Sequence, residues 1–168
     1  RPGASSVGIG IPATIDRESG HAISTVNLDL EDLPIRDMVS EGVKLPVAID
    51  NDGNLAMLAE ALYGAARGTR HALLLTIGTG IGGGIWLDGE IYRGSTGAGA
   101  ELGHLVVEID GHPCQGTCPN RGCVEAMASG TAIGRHGREA AEREPDSLLG
   151  QRLAAGETID AKAVNEAA

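Results

Sequence analysis

A chain of 168 residues is long enough for one domain, or two small ones, with a hydrophobic core of its own. Its 13 Lys and Arg against 23 Asp and Glu leave a formal net charge of -10, the wrong sign for a binder of phosphate backbones or anionic membranes. With 2% aromatic residues and no Phe, it offers no platform for stacking bases, and its core has to be built from Ala, Val, Leu and Ile.

Glycine is the unusual figure, 26 residues with neither a collagen period nor a low-complexity tract, so the positions of the glycines carry information. No stretch approaches the roughly 18 apolar residues of a membrane span, and Arg1 to Val7 has no signal-peptide hydrophobic region, so a cytoplasmic protein is expected. The absence of an initiator Met suggests a start partway through a longer protein.

In chain order, Val7 to Pro12 reads as a short buried strand and Asp16 to Gly20 as a hairpin-like turn. Leu33 to Val43 has helical spacing, with Pro34 suited to its first position and Gly42 to its end. A second buried strand, Leu45 to Asp50, leads into a helix from Asn54 to Tyr63. This strand and helix alternation argues for an α/β layer with parallel pairing. The pattern breaks between Gly64 and Arg70, which predicts units 1–68 and 69–168.

In the second unit, Ala72 to Ile77 and Gly83 to Leu87 flank a glycine-rich turn, and Glu90 to Arg93 supplies a third strand of an antiparallel meander. A strand at Leu105 to Ile109, a cysteine-bearing loop from Gly111 to Cys123, helices near Val124 to Glu142 and Ser147 to Leu153, and a helical tail from Thr158 to Ala168 complete the reading.

Three constellations carry chemistry. The turn Gly78-Thr79-Gly80-Ile81-Gly82 exposes successive backbone N–H groups that can wrap a phosphate, or is a plain β-turn; it fits neither a P-loop nor a dinucleotide fingerprint. Asp50-Asn51-Asp52 lies where active-site groups of open α/β sheets project. Asp52 suits a general base with Asn51 fixing the substrate hydroxyl, and the alternative is that one of the three only caps the helix. His104, Cys114, Cys118 and Cys123 match a tetrahedral Cys₃His zinc set, with His112 as a rival ligand and free thiols as the plainer alternative. Closing such a loop would draw Glu101 and Glu125 toward one place.

Taken together, Gly8-Ile9-Gly10-Ile11-Pro12, Asn51-Asp52 with Ala59-Glu60, Gly78 to Gly84, Gly99 to His104 and Gly122-Cys123-Val124-Glu125 resemble the ROK family (repressor, open reading frame, kinase), and within it the bacterial glucokinases. The resemblance implies an actin-like, ribonuclease-H-like two-domain α/β sugar kinase fold, incomplete at both ends. It implies phosphoryl transfer from Mg-ATP to a hexose, with glucose becoming glucose 6-phosphate.

It further implies Asp52 as general base and Asn51, Glu101, His104 and Glu125 as sugar contacts. Gly78, Thr79 and Gly80 would be the second phosphate loop, and His104, Cys114, Cys118 and Cys123 the ligands of a structural zinc. A homodimer is implied, and neither nucleic acid nor membrane is an expected partner of this segment. Fructose, N-acetylmannosamine or N-acetylglucosamine kinases, and the sugar-sensing part of a ROK repressor, are the alternatives. Two departures stand out: Cys114-Gln115-Gly116-Thr117-Cys118 is two residues longer than the usual Cys-x-Cys, and Pro12-Ala13 replaces Pro-Gly. The Asp-x-Gly-Gly-Thr hairpin and the adenosine loop of the family are not found in the sequence, so this chain alone is expected to be inactive.

Overall fold

The computed structural model describes residues 3–25 and 31–168, which form two compact units. One comprises residues up to Leu75 together with Gly82–Glu101; the other comprises Thr76–Ile81 and Leu102–Ala168.

In the first unit, β1 (Val7–Ile11) pairs in parallel with β5 (Val47–Asn51), in register from Val7 opposite Val47 to Ile11 opposite Asn51. β2 (Ala13–Asp16), β3 (His21–Thr25) and β4 (Glu31–Leu33) form an antiparallel sheet. The turn at 16–20 is the expected one, closed by the Gly20 N–H donating to the Asp16 carbonyl at 2.8 Å. Ile11, Ala13, Ile15, Ala22 and Ile49 are buried together, with Ile9, Ile35 and Val47 packed on them, the aliphatic core that the shortage of aromatics requires.

Leu33 is not helical. It closes β4 opposite Ala22, and α1 (Ile35–Val43) begins only after Pro34, which holds the N-cap position. The helix ends at Lys44 in the left-handed region at φ 56°, so Gly42 lies inside it. Asp16 shows how the turn is held: its carboxylate accepts from the Ser19 hydroxyl at 2.8 Å and the Glu18 N–H at 3.0 Å, and these bonds, the hydroxyl foremost, lower its pKa. A lowered folded-state pKa adds stability above the unfolded value that is lost as pH falls through the folded one. Asp16→Asn should therefore lower the melting temperature slightly at neutral pH, with the difference vanishing once wild-type Asp16 is itself protonated.

α2 (Asp52–Tyr63) follows β5 directly, and β6 (Ala72–Ile77), β7 (Ile81–Leu87) and β8 (Glu90–Ile91) form the expected meander. β7 starts two residues before the predicted Gly83, which shortens the glycine-rich turn to 78–80. Gly53 explains how α2 meets β7: a Cβ there would collide with the Gly83 carbonyl oxygen. Alanine is the better helix former by about 1 kcal/mol, but overpacking against rigid backbone costs about 1–3 kcal/mol. Gly53→Ala should thus give a net loss of up to about 2 kcal/mol, read from the urea midpoint at constant m-value.

The second unit is mostly helical: α3 (Val124–Ala128), α4 (Gly130–Arg143), α5 (Leu148–Ala154) and α6 (Ala161–Ala167). The single helix expected from Val124 to Glu142 is broken at Ser129, which is extended at ψ 168° and caps α4 through its hydroxyl, accepting from the Ala132 N–H at 3.2 Å. Leu105 to Ile109 is not a strand. Its Val106 makes an isolated bridge to Cys123, and the Val107 and Glu108 N–H groups both reach the Gly122 carbonyl, a pattern that anchors a loop and propagates no ladder.

Candidate active site and metal cluster

Two carboxylates separated by one residue in sequence end up in opposite environments. Asp50, next to the end of β5, is 5% exposed, whereas Asp52 opens α2 at the surface. The Asp52 carboxylate accepts the Gly53 N–H at 2.9 Å, which sets its orientation at the helix start. Between them Asn51 is the cap: its side-chain oxygen accepts from the Asn54 N–H at 3.2 Å and its amide donates to the Ala13 carbonyl at 3.2 Å. An amide oxygen has two lone pairs and an amide nitrogen two hydrogens, so capping leaves Asn51 able to bind a hydroxyl as well. Ala13, the substitution for glycine, is buried and serves here by holding Asn51. Glu101 closes the first unit, exposed, beyond the loop that follows β8.

In the second unit the turn at Gly78 to Gly80 sits on the start of α4. The Gly78 N–H donates to the Gly80 carbonyl at 2.9 Å, the Gly78 carbonyl accepts the Gly130 N–H at 2.8 Å, and the Thr79 carbonyl accepts the Thr131 hydroxyl at 2.9 Å. These residues, with Ile77, Ile133, Asp160, Ala161 and Lys162, line a cavity of about 490 Å³. The α4 start and Lys162 escaped the sequence reading; Ser129-Gly130-Thr131, a capping residue amid a supposed helix, was the signal that marks them.

His104, Cys114, Cys118 and Cys123 present four ligand atoms that all lie within 4.8 Å of one another. His104 stands on a short 3-10 turn, Leu102–His104, and its Nδ1 is 3.4 Å from the Cys114 sulfur. The loop is shaped by the Cys114 N–H donating to the Asn120 carbonyl at 3.0 Å and by Gly116 and Gly122 at φ 59° and 63°. The two extra residues between Cys114 and Cys118 are absorbed within this loop, and Gln115 uses its amide to reach the Thr79 carbonyl at 3.3 Å. His112 is outside the cluster; its Nδ1 lies 2.9 Å from the Pro113 carbonyl.

The cluster suits a soft divalent cation. Burial, with the neighbouring Cys118 and Cys123 thiols, pushes the Cys114 thiol up to about 12, and burial likewise raises Cys123, which is fully buried. Three thiols and an imidazole turned toward one point hold little negative charge unless a cation supplies the compensating field. Tetrahedral coordination by zinc needs sulfurs about 3.8 Å apart, from bonds of about 2.3 Å, a modest contraction of what is seen.

Glu125, the second residue after Cys123, joins the metal cluster to the turn. Its Oε2 accepts the Ile81 N–H at 2.8 Å, and its Oε1 is 3.7 Å from the Cys114 sulfur. Gly80 lies against it, and a Cβ there would displace that carboxylate from its place. Gly78, Thr79, Gly80, Glu125 and the four cluster residues are thus assembled within one unit, while Asn51, Asp52 and Glu101 are built into the other.

The ROK family model matches residues 2–168. A glucokinase of Thermotoga maritima is 43% identical over 163 residues, 96% of this chain and 51% of the relative. A putative xylose repressor of a Caldicellulosiruptor species is 37% identical over 131 residues, 78% of this chain and 32% of the relative. Among solved structures, a ROK family glucokinase from Streptomyces griseus in complex with glucose and AMPPNP superposes with a TM-score of 0.81 at 36% identity, covering 97% of this chain and 53% of that one. The mixed α/β architecture is that of the sugar kinases with an actin-like ATPase fold. The chain belongs to the ROK family. It spans about half the length of the curated glucokinase it matches. Among the described residues no helix is long and apolar enough to cross a membrane.

Proposed function

We propose that the whole protein phosphorylates a hexose from Mg-ATP, converting glucose to glucose 6-phosphate. The observation that carries this reading is Asn51-Asp52 at the start of α2, an exposed carboxylate beside a capping amide, in a chain 43% identical to a glucokinase. Asp52 accepts the proton of the attacking hydroxyl as the oxygen–phosphorus bond forms and the bond to the ADP oxygen breaks. Asn51, Glu101, His104 and Glu125 hold the other sugar hydroxyls. The turn Gly78-Thr79-Gly80 receives the nucleotide phosphates, with the adjoining cavity as the nucleotide's place. Residues 1–68 would be the remainder of a small domain and 69–168 the first part of a large one.

His104, Cys114, Cys118 and Cys123 would hold a zinc ion whose contribution is to fix the loop and not to act on the substrate. The chain's own residues do the rest: His104 is oriented by its place in the cluster, and Glu125 is oriented by the Ile81 N–H. The protein is proposed to work in the cytoplasm as a homodimer, with sugar and ATP as its small-molecule partners.

The test is phosphorylation of a hexose panel by the full-length protein. Glucose should give the highest kcat/KM, and a preference for fructose or an N-acetylated hexosamine would overturn the glucokinase reading. The identity with a putative xylose repressor favours one rival, a sugar-sensing repressor segment. That rival requires sugar-dependent DNA binding by the full-length protein and no ATP consumption.

A further inference from the structure

Asp50 takes no part in the transfer just described, yet it is a buried carboxylate two residues from the proposed base. Its two oxygens face different segments. Oδ1 accepts the Asn51 N–H at 2.9 Å and the Asn54 side-chain amide at 3.1 Å, both at the start of α2. Oδ2 accepts both Nε and Nη2 of Arg93, at 2.8 and 2.6 Å, with Arg17 Nε at 4.0 Å on the outer side. Arg93 is three-quarters buried and opens the loop that ends at Glu101.

That loop is closed on Arg93 itself, because the Gly99 N–H donates to the Arg93 carbonyl at 2.8 Å. Gly94 and Gly99 touch so closely that a Cβ on either would meet the other, and Gly97 packs on the Ile15 carbonyl. A desolvated carboxylate tolerates this burial only when it is fully paired, so the arrangement of Arg93 and that of the α2 start depend on each other.

We propose that Asp50 and Arg93 are a positioning pair that sets the Asn51-Asp52 turn and the Glu101 loop against one hexose; the proposal rests on the sugar-kinase reading. The pair acts on sugar and not on nucleotide, since all the segments it joins carry proposed sugar contacts or the base.

Arg93→Gln and Arg93→Lys in the full-length protein test it, with glucose affinity by calorimetry without nucleotide, KM for ATP, and hydrogen exchange of the backbone amides. Arg93→Gln should weaken glucose about tenfold or more, leave KM for ATP within about twofold, and speed exchange selectively at 51–54 and 94–101. Arg93→Lys keeps the charge but loses the fork, and should recover part of the affinity; it carries the test if the glutamine variant does not fold. Glucose affinity within about twofold of wild type in a folded Arg93→Gln, or an equal loss for glucose and ATP, would overturn the proposal. Wild-type protein that binds no hexose would overturn the kinase reading instead. Hydrogen exchange then still decides the pair, a selective rise at the two segments supporting the coupling and a uniform rise refuting it.

Discussion

Cys123→Ser should lose nearly all bound zinc, falling from about one ion per chain toward zero by elemental analysis, and should unfold far below the wild-type melting temperature. Cys123 is the fully buried member of the cluster, and its backbone holds the N-cap position of α3 and bridges to Val106, so a change at its side chain is felt where the loop and the helix meet. In small zinc modules the bound metal contributes about 10 kcal/mol or more to folding. Even a third of that would shift the melting temperature of a domain this size by more than about 5 °C. Two thiols and an imidazole would be left facing one another with a vacated corner, and chelation of the wild type should reproduce much of the effect. His112→Gln should leave the zinc content unaltered, because that ring lies outside the cluster. Unchanged metal in Cys123→Ser would remove the residue from the ligand set.

The second large effect is expected at Asp52. In the full-length protein, Asp52→Asn should reduce kcat by several orders of magnitude, a positioned general base being worth about 10² to 10⁴ in rate and Glu101, His104 and Glu125 being assigned to the other hydroxyls. Glucose affinity should change by less than about threefold, since the amide retains an oxygen for the Gly53 N–H and for a substrate hydroxyl. The fold should tolerate the change because Asp52 is exposed and Asn51 supplies the cap. Near-normal turnover would place the base elsewhere. The contrast with Asp50 is instructive: removing its charge leaves the Arg93 guanidinium without its buried partner, so a loss of stability as well as of binding is expected there.

Much of this was legible along the chain because it rests on local rules. A strand followed by a capped helix predicted β5 and α2, the two-residue Asp88-Gly89 turn predicted the β7–β8 hairpin, and three cysteines in a glycine-bearing loop with a histidine before it predicted one cluster. Where the reading failed, a non-local contact had overridden a local preference. Leu33 has helical spacing but pairs with Ala22 in a sheet. Leu105 to Ile109 is apolar enough for a strand but has one carbonyl, Gly122's, to receive two of its N–H groups. Spacing also allowed either His104 or His112 at the metal; only the folded loop separates them, turning His112 toward its own Pro113.

The glycine count was the sequence's most informative number, and it determined that backbone had to pass close to something at several points. What it had to pass close to was decided by the tertiary structure: the Gly83 carbonyl beside Gly53, and the Glu125 carboxylate beside Gly80. The sequence by itself likewise determined the family, the chemistry-bearing residue types and the order in which they occur. Which of two aspartates two residues apart is exposed for chemistry and which is buried as a structural anchor is a matter of a partner 43 residues away, and burial plus the Arg93 fork made that choice. Solvation and pairing energies depend on what surrounds a group in space, and a linear pattern does not contain that information.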